Sequence, residues 1–406
     1  MDVVDRSVKS ALVLPGGGAR GAFQVGVLKA LAELVPKGTV NPFPVISGTS
    51  AGAVNSVVLA AKARRFKVAV AELERVWGNF RCHHVYRTDH LTMLRSSLHW
   101  FAAIVSGGLI GMPKSLLDNS PLRALLSRNV RFPRIQEALE RDWLDAVAVT
   151  AAGYGTARSH TFYQATEDHR PWARTRRVGM PTTIHLDHLM ASIAVPMIFP
   201  PVRIDGGYFG DGAMRQATPL SPAVHLGADR ILVVGVRNEV ADPAPDIHHM
   251  MEFPSFAQIA GFTLDTLFMD GLYSDLERLT RINQLIDAVP EEHRSGPLRE
   301  MRPIDTMVIV PSEDLRDIAR RHRRELPVAL RALLRGIGGK RHKENRLLSY
   351  LLFEKAFTQE LINLGYRDAM EVKDQLIDFV CGRAVPRLFA PEWVKHDLIS
   401  IHGDLM

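Results

Sequence analysis

The pentapeptide Gly48-Thr49-Ser50-Ala51-Gly52 restricts the fold more than any other feature, because it falls between a short apolar run at 42–46 and a helix-like stretch at 53–63. A serine between glycines at a strand-to-helix junction fits a nucleophile elbow. There a sharp turn forces the serine into a strained conformation, and the glycines let neighbouring chain pass. The hydroxyl then stands at the carboxyl edge of a sheet, beside helix N-terminal N–H groups that favour negative charge. With only three fixed positions the motif recurs by chance, so its strand and helix flanks carry the weight. Ser47 falls on the strand end and reads as a core hydroxyl. Residues 11–15 form another short apolar run, and 22–34 carry helical spacing at Phe23, Val27, Leu28 and Leu31. Further β-branched runs at 146–151, 231–236 and 307–310 extend the alternation of strand and helix. The expected fold class is α/β, three layers α/β/α with a mainly parallel central sheet. Beyond 311 the pattern reads as helical to the end, with helices near 331, at 347–364 and at 369–380.

Gly16-Gly17-Gly18-Ala19-Arg20-Gly21 follows the first strand and matches the dinucleotide fingerprint G-x-G-x-x-G. That reading requires an acidic residue at the end of the second strand to bind a ribose hydroxyl. Between Leu34 and Ser50 there is no Asp or Glu, and the serine motif itself ends the second strand. Glycines ahead of a helix can instead expose successive N–H groups that hold an oxyanion, with Arg20 adding charge or locking the loop. A tight turn with a surface arginine is the plainer alternative.

A third element, Gly210-Asp211-Gly212-Ala213, follows later in the chain. The order of glycine loop, serine elbow and late Asp-Gly-Ala resembles the patatin-like phospholipases, in the bacterial type. The resemblance implies that Asp211 is the family's aspartate. Asp205-Gly206-Gly207 is a decoy read as a turn, since Asp211 is the one followed by Gln216-Ala217-Thr218-Pro219-Leu220 and the 231–236 run. The segment 191–201, Ala-Ser-Ile-Ala-Val-Pro-Met-Ile-Phe-Pro-Pro, is also similar to the family's; by itself it is a helix end broken by prolines. Segments 117–122 and 364–369 resemble bacterial members more loosely.

What the resemblance implies is a serine-dependent lipid acyl hydrolase needing no cofactor or metal. Ser50 attacks an ester carbonyl, Asp211 takes its proton, Gly17 and Gly18 hold the oxyanion, and water releases the fatty acid from an acyl-enzyme. Gly16, Arg20 and Gly21 complete the loop, with Gly48, Gly52, Gly212 and Ala213 as motif residues. Two rivals stand beside it. An α/β-hydrolase triad would use His225 or His248, and a membrane-binding scaffold would keep the fold without turnover. The pairs His83-His84, His185 and His188, and His248-His249 lack metal-site spacing and read as surface or capping residues.

The 406 residues suffice for a catalytic region at 11–236, a helical extension at 237–311 whose late strand near 304–310 joins the sheet, and a basic helical region at 312–406. The net charge of +6 equals the excess within 311–346, where eleven Lys or Arg face five Asp or Glu. Such a cluster suits anionic lipid headgroups or a solvated helix face. Nucleic acid fits less well, as no aromatic residue is interleaved. Two distant cysteines, Cys82 and Cys381, suggest neither disulfide nor zinc site and point to a reducing cytoplasm. No signal-peptide core is read at the N-terminus. The weakly polar stretch 98–112 falls short of the ~20 residues a spanning helix needs, so membrane contact is expected to be peripheral, at the inner face. Part of that stretch, 100–112, could line an acyl groove.

Overall fold

The structure, a computed structural model, describes residues 7–88, 115–166, 169–237, 256–336, 345–391 and 393–394. Its strands are β1 (Ser10–Leu14), β2 (Val45–Thr49), β3 (Ala146–Gly153), β4 (Arg158–Ala165), β5 (Trp172–Ala173), β6 (Arg177–Pro181), β7 (Val202–Ile204), β8 (Gly207–Asp211), β9 (Arg230–Val234), β10 (Asp305–Ile309) and β11 (Leu388–Phe389). They form one sheet in the order β11-β10-β9-β1-β2-β3-β4-β6-β5, with β8 pairing both β3 and β7. Every pairing from β11 across to β3 is parallel, while β3–β4, β5–β6, β3–β8 and β7–β8 are antiparallel. The sheet is thus mixed and mainly parallel.

Strand side chains point alternately to opposite faces, which sorts the core into two apolar layers. Leu12, Leu14, Ile46, Val147, Val149, Leu232 and Val234 pack on one face, and Ala11, Val13, Val45, Ala148, Ile231 and Val233 on the other. Burial on both faces explains the unbroken apolar runs of the sequence. The labelled helices are α1 (Gly21–Leu34), α2 (Ala51–Ala61), α3 (Phe66–Trp77), α4 (Leu186–Ser192), α5 (Phe256–Ala288), α6 (Asn345–Leu351), α7 (Lys355–Glu371) and α8 (Lys373–Val380). Residues of α1, α2, α3, α7 and α8 join the first layer; Leu272 and Leu276 of α5 join the second.

Several expectations are corrected. β2 runs into the serine motif instead of stopping before it, because Ser47 and Gly48 pair with Val13 and Leu14 while Thr49 pairs with Thr150. Ser47 is therefore mid-strand and buried. The helix expected over 347–364 is two, α6 and α7. Glu354 precedes α7, and its carboxylate accepts the Cys82 N–H and pairs with Arg81, pinning the chain where it turns. Beyond 311 the chain is not helical throughout, since β11 adds to β10 at the sheet's edge. Two residues are too short to show a period. The stretch 98–112 and His248-His249 lie outside the described residues.

Candidate active site

Register brings Ser50 and Asp211 together. Thr49–Thr150 is the last rung between β2 and β3, after which β2 turns out of the sheet. Because β4 occupies the other side of β3 along its whole length, β8 takes the side that β2 leaves, pairing Asp211 with Ala151. The aspartate arrives where the serine departs. Asp205, by contrast, sits in the β7–β8 turn at φ 48°.

Ser50 precedes α2 with φ 54° and ψ −125°, a left-handed conformation that L side chains adopt only at a cost of about 1–3 kcal/mol. Gly52 makes the turn possible, since a Cβ there would lie 1.9 Å from the Leu14 carbonyl oxygen. The elbow is thereby pressed onto the end of β1, where Gly16 and Gly17 begin the glycine loop. Gly18, at φ 55°, is confined on its other side: a Cβ would lie 2.4 Å from the Tyr350 carbonyl oxygen of α6. Arg20 is buried, its Nε and Nη2 donate to Ser349 Oγ at 2.9 and 2.7 Å, and its guanidinium lies 3.9 Å from the centre of the Tyr350 ring. These contacts lock the loop to α6. Gly21 opens α1.

Asp211 Oδ1 accepts the Ala213 N–H at 2.9 Å, at the start of the short turn Gly212–Met214. Oδ2 is buried with no partner in hydrogen-bond geometry among the described residues. The Ser50 hydroxyl nonetheless lies near enough to pull the carboxyl's pKa down, as the Ala213 N–H does, but burial outweighs both and pushes it up to about 7. A carboxyl poised near neutrality suits a general base. The Gln216 side chain bridges the hydroxyls of Thr49 and Thr150 beneath the site. Ser192 Oγ meets the Ser50 N–H.

Ser50 and Gly18 border a cavity of about 60 Å³ whose other walls include Trp77, Phe199, Leu351 and Phe353. His225 lies elsewhere, its ring stacked 4.6 Å from Trp172, and burial pushes it down to about 4. His84, His185 and His188 serve as helix caps. No group of three His, Cys, Asp or Glu among the described residues is arranged to hold a metal ion, and no described helix is long and apolar enough to cross a membrane. Sequence reasoning missed Ser192 and Gln216, although both lie in quoted segments; a single polar residue in such a run carries no signal of its own.

The profile described as "Patatin-like phospholipase" matches residues 12–224, more than half the chain. A curated relative, the "cGAMP-activated phospholipase" of Pseudomonas aeruginosa, is 27% identical over 208 residues, 51% of this chain and 53% of the relative. The chain thus spans about half the length of the curated relative it matches. Among solved structures, VipD from Legionella pneumophila aligns over 97% of this chain and 74% of its own at 14% identity and TM-score 0.33. ExoU-SpcU of Pseudomonas aeruginosa aligns over 85% and 74% at 15% identity and TM-score 0.24. Likenesses at those scores support nothing further, and the fold rests on the sheet order given above. On the profile match, the chain belongs to the patatin-like phospholipases, a family of carboxylic ester hydrolases.

Proposed function

We propose that this chain hydrolyses acyl esters of lipids with Ser50 as nucleophile and Asp211 as its base. The observation that carries the reading is the left-handed Ser50 in the wall of an apolar cavity, with a buried carboxylate brought near it by β-sheet register. Asp211 takes the hydroxyl proton as Ser50 Oγ bonds to the ester carbonyl carbon. The tetrahedral oxyanion is held by N–H groups of the glycine loop and of the α2 N-terminus. Collapse expels the alcohol, which leaves with the proton from Asp211; water then attacks the acyl carbon as Asp211 takes its proton, the bond to Ser50 Oγ breaks, and Asp211 returns the proton to Ser50 as the fatty acid leaves. An apolar cavity favours a hydrocarbon acyl chain over a polar one. At about 60 Å³ it is smaller than the roughly 300–1,000 Å³ of small-molecule sites, so it receives part of a fatty chain.

The test is hydrolysis of short-chain nitrophenyl esters and phospholipid vesicles. Ser50→Ala and Asp211→Asn are each expected to lower kcat by on the order of 10³-fold or more while the protein stays folded. His225→Ala is expected to remain active, and its collapse would revive the histidine triad. Assays run with and without cGAMP, because the Pseudomonas aeruginosa relative bears that activator in its name. Full turnover in either dyad variant sinks the mechanism.

Contact with the membrane is proposed to be peripheral, at the inner face of a cytoplasmic membrane, and to use the basic segment 311–346. Arg316, Arg320 and Arg321 of that segment pair with Asp314, Asp317 and Glu360; Lys340, Arg341 and Lys343 lie outside the described residues.

A further inference from the structure

Ser192, the last residue of α4, is wholly buried. Its Oγ lies 2.9 Å from the Ser50 nitrogen and 2.7 Å from the Thr150 carbonyl oxygen. Chemistry fixes the direction of both bonds, since an N–H can only donate and a carbonyl can only accept. The hydroxyl therefore receives the Ser50 N–H and gives its own proton to β3. Two residues on, the Ala194 carbonyl accepts the Asp211 N–H at 2.8 Å. One short stretch, three residues long, thus grips the backbone of the serine and of the aspartate. It also ties both to the strand that pairs with β2 and β8.

From this we infer that Ser192 is a positioning residue for the reaction, holding the strained Ser50 backbone in register with Asp211. The inference rests on the Ser50–Asp211 reading. A left-handed serine persists only where its surroundings over-determine it, and a buried N–H without a partner costs about 1–3 kcal/mol. Ser192 meets both needs with one atom. The same bond commits the Ser50 N–H, so the oxyanion must look to the glycine loop and to N–H groups further into α2. Ser192 hydrogen-bonds to neither the hydroxyl nor the carboxylate of the dyad. Its effect passes through the Ser50 backbone.

The experiment compares wild type, Ser192→Ala and Ser192→Cys, the last nearly matching serine in size while offering a weaker acceptor. Steady-state kinetics on a short-chain nitrophenyl ester are read with the rate of Ser50 labelling by a fluorophosphonate and with thermal melting. A misplacement near 1 Å can cost about 10²-fold in rate. Ser192→Ala is accordingly expected to lose roughly 10- to 100-fold in kcat and in labelling rate, with KM within about twofold of wild type. Ser192→Cys is expected to fall between. The acid limb of the pH profile stays in place, because the Asp211 carboxyl keeps its surroundings. A folded variant with kcat within twofold of wild type overturns the inference, as does a loss confined to KM. Failure of both variants to fold also overturns it, assigning Ser192 to stability alone. Retained turnover in Ser50→Ala or Asp211→Asn is a separate result, which removes the dyad.

Discussion

Asp211 carries two opposed demands on one carboxyl. Its folded pKa, about 7, stands above the ordinary 3.8 because burial penalises the charge. As the proposed base, Asp211 must be ionised, so kcat/KM is expected to fall about tenfold per pH unit below 7, measured on a substrate that does not titrate. Stability runs the other way. A raised carboxyl pKa means that the unfolded chain ionises first, so folding is penalised increasingly from pH 4 to 7 and by a constant amount above, roughly 4 kcal/mol at about 1.4 kcal/mol per pKa unit. Asp211→Asn is therefore expected to melt higher than wild type at pH 8, with the gain shrinking as the pH falls toward 4. An unchanged melting difference across that range would refute the buried charge. Ser50 was legible in the sequence through its glycine-flanked motif between strand and helix, and Asp211 through the family resemblance, since Asp205 carries the same glycine flank. Ser192 was not, because a hydroxyl satisfied inside a core looks in sequence like any other small residue.

Helix α7 crosses α1 with backbones touching. A Cβ at Gly26 would lie 2.1 Å from the Ile362 carbonyl oxygen, and one at Gly365 2.2 Å from that of Phe23. Gly26→Ala or Gly365→Ala is expected to destabilise the protein by about 1–3 kcal/mol or more in denaturant unfolding, through forced separation of the two helices. Gly155→Ala, which meets nothing within 4 Å, serves as the matched control and is expected to stay within about 0.5 kcal/mol. This contact also shows why the elements were unequally readable. The central strands announce themselves as apolar runs since both faces are covered. β4 does not, as it buries Ser159, His160, Thr161 and Gln164, and β5, β7 and β11 are two or three residues long. Their pairing comes from neighbours rather than from any pattern of their own.

Across the whole molecule, the first apolar layer runs from Leu12 to Val380, so regions that composition separates share one core. If the segment 311–346 meets anionic lipid, reversing Arg324 and Arg331 to Glu is expected to weaken binding to phosphatidylglycerol-containing vesicles at low salt by at least about tenfold, at roughly 1 kcal/mol per basic residue near the surface. High salt should erase the difference, and equal binding by both proteins would return the segment to a solvated face. The cavity beside Ser50 has a further consequence through where its walls lie along the chain. Gly18, Ser50 and Trp77 leave the ribosome first, and Tyr350, Leu351 and Phe353 follow some three hundred residues later. Until they do, Ser50 exists without those walls of its cavity, and a chain cut short by premature termination carries the serine but not the cavity. Translation itself thus sets the moment at which the cavity beside Ser50 can first be complete.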